Sequence, residues 1–296
     1  MALARAQGRL MKIAVAGAQG QLGAAVVHAF ASGHDVIPLV HEDLDITDDR
    51  AVASAMERLR PDAIVNCAAY NDVDGAEDHP VEALNLNAFG VRALAGGAAS
   101  IGAVLVHYGS DFVFDGTAST PYTEEDPPNP RSVYAISKLL GEWFAADSPR
   151  RYVLRVESLF GHVQGGRPAK GSIAAIVKKM TAGEETVVFA DRTVSPTYIV
   201  DAANATRYLI EHAPPIGLYH CVNSGHDTWQ DVALEIARQL GVEPRLVPVR
   251  MADVPLRAQR PRYCALSNRK LVATGVVMPP WQDAIRRYLV ARPDGS

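Results

Sequence analysis

Short apolar runs alternate with longer amphipathic stretches in the first half of the chain. The apolar runs, rich in β-branched residues, cover 12–16, 35–40, 63–67, 103–108 and 152–156. Apolar residues at helical spacing cover 22–30, about 49–59, about 81–100 and 133–146. This order of elements predicts an α/β fold with a parallel, doubly wound sheet. Ligands of such sheets bind at the carboxyl ends of the strands.

Three glycines, Gly17, Gly20 and Gly23, lie between the first predicted strand and the first predicted helix. A glycine turn in this context is typical of a dinucleotide-binding loop. Gly17 permits the tight turn, Gly20 lets the backbone approach a pyrophosphate, and Gly23 lets the helix pack close to the strand. The helix N-terminus then offers free N–H groups to the phosphates. A purely structural turn is the alternative, because the spacing alone is a weak signal.

The pattern changes after Gly161. A polar, glycine-rich segment covers 161–171, and helical patterns at 172–182, 197–212 and 228–240 are separated by short apolar strands. We therefore expect a Rossmann-type domain over 11–162, to which 193–213 return. A smaller mixed α/β substrate-binding domain is expected over 163–192 and 214–291. Residues 1–10 lack the apolar centre of a signal peptide and are predicted to form a flexible extension.

Composition excludes several partners and ligands. The net charge of −4 gives no reason to expect nucleic acid or an anionic membrane surface. No run of about 18 apolar residues is present, so no membrane span is predicted. Cys67, Cys221 and Cys264 form no C-x-x-C pair, which favours a reducing, cytoplasmic location. The nine histidines show no metal-ligand spacing, and we predict no metal site.

A tyrosine and a lysine lie four residues apart in the predicted helix 133–146. Tyr134 and Lys138 therefore share one helix face. A lysine cation one turn away favours the phenolate, and we expect it to lower the pKa of Tyr134 from its usual value of about 10. Ser110 follows the strand 103–108, where its hydroxyl can bind a carbonyl oxygen on which negative charge develops during hydride addition. A glycine turn, a serine and Tyr-x-x-x-Lys in this order favour carbonyl reduction.

The chain resembles the extended short-chain dehydrogenase/reductase superfamily and, within it, the dTDP-4-dehydrorhamnose reductases. The resemblance extends from residue 11 to about 289. Besides the glycine turn, its motifs lie at 66–70, 73–77, 107–116, 133–142, 195–198, 217–220, 260–261 and 281–282. It implies an NAD(P)H-dependent reductase of a nucleotide-linked 4-keto-6-deoxysugar. Tyr134 would donate the proton, Lys138 would bind the nicotinamide ribose and lower the pKa of Tyr134, and Ser110 would bind the carbonyl.

The resemblance also implies binding residues. Those for the cofactor are Gly17, Gln19, Gly20, Gln21, Leu22, Gly23, Asp45, Ile46, Cys67, Ala68, Ala69, Tyr70 and Asn87, together with Tyr134 and Lys138. Asp45 and Ile46 would border the adenine, and Asn87 would support the site. Asp111, Phe112, Ser158 and Arg260 would bind substrate, and Arg260 would face its diphosphate.

The second predicted strand does not decide between NADH and NADPH. The end of that strand, Val40-His41, carries neither the acidic residue that favours NAD nor an arginine that would favour NADP. NADPH is therefore favoured over NADH by the resemblance alone. A nucleotide sugar is the expected small-molecule partner, and a homodimer is one expectation for an oligomeric state that the sequence does not define.

Several positions depart from the family pattern. Ser158 stands where the rhamnose-pathway reductases carry tryptophan, Glu157 adds a charge beside it, and Gly109 replaces a serine. The resemblance therefore leaves the sugar open. Asp74 and Glu77, one helical turn apart, are predicted to cap and solvate the next helix.

Three other functions use the same motifs. A sugar-nucleotide epimerase would retain its cofactor, and a protein like the regulatory subunit of methionine adenosyltransferase would bind a partner without catalysis. The intact set of Ser110, Tyr134 and Lys138 favours the reductase over the noncatalytic regulatory protein. Sugar-nucleotide 4,6-dehydratases carry Asp-Glu after the hydroxyl residue, whereas this chain has Asp111-Phe112. We therefore expect no elimination, because Phe112 cannot accept a proton.

Overall fold

The computed structural model describes residues 10–164, 166 and 168–292, so nearly all of the predicted extension at 1–10 lies outside the described residues. The strands are β1 (Lys12–Ala16), β2 (Asp35–Leu39), β3 (Ala63–Asn66), β4 (Val104–Ser110), β5 (Arg151–Val156), β6 (Leu159–Phe160), β7 (Thr186–Phe189), β8 (Thr193–Val194), β9 (Thr197–Tyr198), β10 (Gly217–His220), β11 (Asp227–Thr228) and β12 (Leu246–Val249). The helices are α1 (Gln21–Ala31), α2 (Asp49–Leu59), α3 (Gly75–Asp78), α4 (Pro80–Leu84), α5 (Gly90–Ile101), α6 (Val133–Ala145), α7 (Ser172–Thr181), α8 (Ile199–His212), α9 (Trp229–Leu240), α10 (Arg269–Val272) and α11 (Trp281–Ala291). A π turn covers Asn85–Phe89, and 3₁₀ turns cover Asp111–Val113 and Met251–Asp253.

Six parallel strands form the central sheet, in the order β2-β1-β3-β4-β5-β10. The strand order reverses between β1 and β3, which creates a crevice at their carboxyl ends. The predicted doubly wound, Rossmann-type α/β fold is confirmed.

Helices cover both faces of the sheet because both faces of each central strand are apolar. On one face, Phe30 of α1 and Leu209 of α8 belong to one buried cluster with Val15 and Val106. On the other face, Met56 of α2 packs close to Gly97 of α5, where a β-carbon would lie 2.8 Å from Met56 Cγ. This packing places the first turn of α1 and the loops after β3, β4 and β5 at one edge of the sheet.

Local signals set the helix boundaries that position the site. Asp48 caps α2 by accepting hydrogen bonds from the Arg50 and Ala51 N–H groups. Ser132 caps α6 through the Ala135 N–H, so α6 begins one residue before Tyr134. Both starts agree with the predictions.

The predicted helix 81–100 contains an interruption. Residues 80–101 are helical throughout, but Asn85–Phe89 form a π turn between α4 and α5. The extra residue in this turn shifts the helix face on which Asn87 lies, and such turns occur frequently at functional sites.

The second half is mixed α/β, with β7 parallel to β12, β6 parallel to β9 and β8 antiparallel to β11. Helix α8 packs against α1 of the first half of the chain. Strand β10 differs from the prediction, which places it in the substrate domain. It extends the central sheet instead, because Gly217–His220 pair in parallel with β5. The remaining domain boundaries stay a prediction. Within the described ranges, every helix is too short or too polar to cross a bilayer.

Candidate active site

A cavity of about 680 Å³ opens at the carboxyl ends of the central strands. Gly20 and Leu22 form one end, beside Cys67 and Ala68 after β3. Ser110, Tyr134 and Lys138 line the same cavity further along the sheet edge. The glycine turn and the predicted catalytic residues are therefore brought together in one space.

The three glycines of the turn have different structural roles. Gly17 has a φ of +73°, and a β-carbon there would lie 2.6 Å from the Ala68 nitrogen. A β-carbon on Gly23 would collide with the Gly17 carbonyl oxygen. Gly20 has an ordinary φ of −64° and is the N-cap residue of α1. The fold thus requires glycine at 17 and 23, whereas Gly20 keeps the cavity wall free of a side chain.

Ser110 is the last residue of β4, and α6 places Tyr134 and Lys138 beside it. The Ser110 hydroxyl donates to Asp111 Oδ1 at 3.1 Å and lies close enough to the Tyr134 phenol to lower its pKa. Lys138 Nζ donates to the Tyr108 carbonyl oxygen at 2.7 Å. Ser110 and Tyr134 therefore present two hydroxyl groups to one point in the cavity, with a buried ammonium one helical turn away.

Burial controls the acidity of these groups. It raises the pKa of Tyr134 to about 12, against a smaller lowering by the Ser110 hydroxyl. It lowers the pKa of Lys138 to about 8. The expectation that Lys138 lowers the pKa of Tyr134 is therefore wrong for this structure, because desolvation of the phenolate dominates. Tyr134 is protonated at neutral pH, as an acid must be.

Asn87 supports the wall between β3 and α6. Its side-chain oxygen accepts from the Tyr70 N–H at 2.8 Å, and its amide donates to the Tyr70 carbonyl and the Ser137 hydroxyl, both at 3.0 Å. Tyr70 and Asn87 lie behind the cavity wall, whereas Cys67, Ala68 and Ala69 form it. The π turn thus fixes the loop after β3 against the helix that carries Tyr134.

Nearly the whole chain matches a known family. The family described as RmlD substrate binding domain matches residues 11–292. The chain belongs to this family. The spore coat polysaccharide biosynthesis protein SpsK of Bacillus subtilis is 33% identical over 285 residues, covering 96% of this chain and 98% of SpsK.

Two further relatives carry a more specific name. The dTDP-4-dehydrorhamnose reductase of Streptomyces griseus is 36% identical over 281 residues, covering 92% of this chain and 90% of that protein. The crystal structure of dTDP-4-dehydrorhamnose reductase from Bacillus anthracis in complex with NADP is 29% identical, with a TM-score of 0.90. The match covers 96% of this chain and all 100% of that one. The resemblance stated from the motifs is confirmed.

Residues 157 and 158, which depart from the family pattern, form part of the cavity wall. Ser158 lines the cavity with a φ of +44°, a left-handed conformation that costs a non-glycine residue about 1 kcal/mol or more. Glu157 is buried and accepts the Ser195 N–H at 2.6 Å.

At Gly109, a β-carbon would collide with the carboxylate of Glu142, which is held by Arg155. A serine at 109 would therefore require Glu142 to move.

Arg260 reaches the cavity with a carboxylate already bound. Its guanidinium makes two hydrogen bonds to Asp74, at 2.9 and 2.8 Å, and Asp74 also accepts the Ala258 N–H. The predicted helix-capping role of Asp74 is therefore wrong, because its oxygens bind the 258–260 segment. Glu77 accepts the Val133 N–H at the start of α6 instead of solvating its own helix. The role of Arg260 toward a diphosphate stays a prediction.

Some predicted cofactor residues lie away from the cavity. Ile46 is buried among α2 and α5, against Gly90, and Asp45 accepts hydrogen bonds from Thr47. Gln19 is exposed at the turn. Gln21 lines the cavity and donates to the Gly161 carbonyl at 3.1 Å. An adenine-binding role for Asp45 and Ile46 remains a prediction.

Sequence reasoning missed Arg192 and Lys170, which also line the cavity. Arg192 follows the carboxyl end of β7, and its guanidinium lies 5.6 Å from the centre of the Phe112 ring. The Phe112 ring in turn packs edge-on against Tyr134 at 5.3 Å. In the sequence, Asp191-Arg192 follow the end of a predicted strand. This signal does not show which part of the cavity wall contains the arginine.

Proposed function

We propose that this chain is an NAD(P)H-dependent oxidoreductase that reduces the 4-keto group of a nucleotide-linked 6-deoxysugar to a hydroxyl. The observation that carries the proposal is the meeting of Ser110 and Tyr134 in the cavity, with Lys138 one turn further along α6. Relatives named dTDP-4-dehydrorhamnose reductase, and the NADP bound to the Bacillus anthracis protein, support the reaction class and the cofactor.

The residues at the glycine turn fit a dinucleotide. The N-terminus of α1, which has no side-chain cap, provides hydrogen-bond donors for a pyrophosphate. The bare backbone of Gly20 leaves space for it. Cys67, Ala68 and Ala69 leave room for a ribose and nicotinamide beyond it. When bound, NADPH supplies the hydride that adds to the carbonyl carbon.

Ser110 and Tyr134 act on the carbonyl oxygen. As the C=O bond becomes a single bond, negative charge develops on that oxygen, and both hydroxyls donate hydrogen bonds to it. For this, the Ser110 O–H turns from Asp111 Oδ1 to the substrate oxygen. Tyr134 then transfers its proton to the oxygen and becomes a phenolate. Lys138, whose pKa of about 8 leaves it mostly protonated at neutral pH, stabilises that phenolate.

The test is an assay of purified protein with NADPH and dTDP-4-dehydro-6-deoxy-L-mannose, followed by other 4-keto sugar nucleotides. We expect one NADPH to be consumed for each 4-hydroxy product formed. Absence of NADPH and NADH consumption with every ketosugar would contradict the proposal. Cofactor retained through purification, with sugar isomerisation and no net consumption, would favour an epimerase.

Location and assembly are finer expectations. The cysteines in the described residues, Cys67, Cys221 and Cys264, are free thiols. A cytoplasmic enzyme acting on an activated sugar is consistent with them. A homodimer stays an expectation, to be measured by sedimentation.

A further inference from the structure

A buried carboxylate follows Lys138 one turn further along α6. Tyr134, Lys138 and Glu142 are spaced four residues apart, which places them in one row on the helix. Tyr134 and Lys138 line the cavity, whereas Glu142 lies behind its wall and is only 7% exposed. Glu142 can therefore act on the reaction through its charge and its contacts, without touching a ligand.

Arg155 of β5 holds this carboxylate in place. Its Nε donates to both carboxylate oxygens of Glu142, at 3.0 and 3.2 Å, and its Nη2 donates to Oε2 at 2.8 Å. Arg155 is itself 2% exposed, and its guanidinium lies 4.9 Å from the centre of the Phe114 ring. A buried ion pair is often no more stable than apolar side chains of similar volume. Stability alone therefore does not account for an ion pair at this place.

The carboxylate also packs against the end of β4. Gly109 lies between Tyr108, whose carbonyl oxygen accepts Lys138 Nζ at 2.7 Å, and Ser110. A β-carbon on Gly109 would collide with Glu142 Oε1, so the carboxylate is in contact with this part of the backbone. Glu142 is therefore fixed next to the strand segment on which the Lys138 ammonium is bound.

The other titratable side chains around Lys138 are uncharged near neutral pH. Burial raises the pKa of the Cys67 thiol, which stays protonated over the range in which Lys138 titrates. Burial and the charge of Lys138 hold the pKa of His107 well below its usual value, so its imidazole is neutral. Burial raises the pKa of Tyr134 to about 12. Burial lowers the pKa of Lys138 to about 8, and the charge of Glu142 opposes that lowering.

We propose that Glu142 is a positioning residue whose carboxylate, held by Arg155, keeps the ammonium group of Lys138 charged and bound to the Tyr108 carbonyl near neutral pH. Its effect on catalysis rests on the proposed function, in which that ammonium stabilises the Tyr134 phenolate. Its effect on Lys138 depends on charges of the protein alone. A unit charge about 10 Å away changes a pKa by about one unit at an effective dielectric constant of about 20.

The experiment measures the protonation of Lys138 by NMR in the protein without added ligand. The chain has six lysines, so the ε-carbon signals of isotope-labelled lysine can be resolved, and Lys138→Met identifies the signal of Lys138. The variants are Glu142→Gln and Arg155→Gln, with Asp201→Asn as the control. Asp201 is matched to Glu142, because it is a buried carboxylate bound by an arginine, but it pairs with Arg287 of α11 at 2.8 Å.

We expect the midpoint of the Lys138 titration to fall by about one pH unit in Glu142→Gln, from about pH 8 in wild type. Arg155→Gln removes the cation that partly offsets the carboxylate and should raise the midpoint. Asp201→Asn should leave it unchanged. If one of the first two variants unfolds, the other carries the comparison. A midpoint equal to that of the wild type in the folded variant, or one shifted in the opposite direction, would overturn the inference.

Kinetics separate this inference from the proposed function. With saturating NADPH, kcat/KM of Glu142→Gln for the ketosugar should be close to that of wild type at about pH 6, where both proteins carry the ammonium. Above about pH 8 it should be roughly five- to tenfold lower. An equal loss at every pH would show a purely structural role and overturn the inference. A shifted Lys138 midpoint in a protein that reduces no ketosugar would overturn the proposed function and support the effect of Glu142 on Lys138.

Discussion

At the scale of single residues, burial determines what Tyr134 and Lys138 can do. Their spacing on one helix face is visible in the sequence, and so is the pairing with Ser110. The sequence does not show the direction in which the pKa of Tyr134 changes. That direction depends on desolvation of the phenolate, and therefore on the walls that α6 packs against. The result is a protonated phenol beside a lysine with a pKa of about 8.

Replacing Tyr134 by phenylalanine removes the proton donor and keeps the ring that packs against Phe112. We expect turnover to fall by at least about a hundredfold, the lower range for losing a general acid. The Kd for NADPH, measured by fluorescence titration, should change little. Tyr152→Phe is the control, because burial also raises the pKa of Tyr152 to about 12 but its hydroxyl binds the Pro214 carbonyl. Unchanged turnover in Tyr134→Phe would disprove the role.

NADPH binding should weaken as the pH rises through about 8. Burial lowers the pKa of Lys138, so its ammonium is present below that pH and lost above it. A hydrogen bond to the cofactor from the charged ammonium of Lys138 is stronger by about 1 kcal/mol than one from its neutral amine. We therefore expect roughly a fivefold rise in the Kd for NADPH between about pH 7 and about pH 10. Lys138→Met should bind weakly with no such change, whereas the exposed Lys178→Met should behave like wild type. A pH-independent Kd in wild type would refute this.

Phe112 should prevent elimination from a sugar nucleotide. Its ring lies between Tyr134 and the Arg192 guanidinium and offers no atom that can accept a proton. Loss of an acid–base group typically costs 10²–10⁴-fold. Incubation with dTDP-glucose and NAD⁺, which is needed to oxidise C4 before elimination, should therefore give no 4-keto-6-deoxy product detectable by absorbance in alkali. Formation of that product at the rate of ketosugar reduction would show that another group, such as Glu157, acts as the base.

At the scale of elements, the strand–turn–helix at 12–31 is the part that sequence predicts best. Strand, glycine turn and helix are all signalled locally, and the structure gives Gly17 the positive φ that the turn needs. The π turn at Asn85–Phe89 is different, because nothing in the apolar spacing marks one extra residue per turn. It is favoured by contacts that Asn87 makes with Tyr70 and Ser137, which are 17 and 50 residues away.

Two glycine substitutions should separate binding from folding in this element. Gly20→Val has an acceptable φ, its β-carbon would lie 3.2 Å from the Gly17 carbonyl oxygen, and its side chain would project where the cofactor must approach. We expect NADPH affinity to fall by at least tenfold, about 1.4 kcal/mol, with a smaller loss of Tm than in Gly23→Ala. Gly23→Ala should lower Tm, because its methyl group collides with the Gly17 carbonyl. Isothermal titration and thermal unfolding measure the two effects. Unaltered affinity in Gly20→Val would show that the turn does not hold the cofactor.

At the scale of the whole molecule, the parallel sheet follows from the sequence but its completion does not. Strand β10 is a short run that the pattern places in the second half, and only pairing with β5 assigns it to the sheet. The same holds for the cavity wall, where Asp111, Glu157 and Arg192 come from three segments. Such contacts depend on tertiary packing, which no local pattern records.

The ion pair between Asp74 and Arg260 has a consequence for the order of folding. The two residues are 186 positions apart, so the cavity is complete only after the chain closes a very long loop. We infer that the rate-limiting transition state lacks this contact. NADPH at about a hundredfold excess over its Kd should then slow unfolding by about a hundredfold and leave the refolding rate unchanged. Stopped-flow fluorescence measures both rates, and faster refolding with NADPH would mean that the cavity forms early.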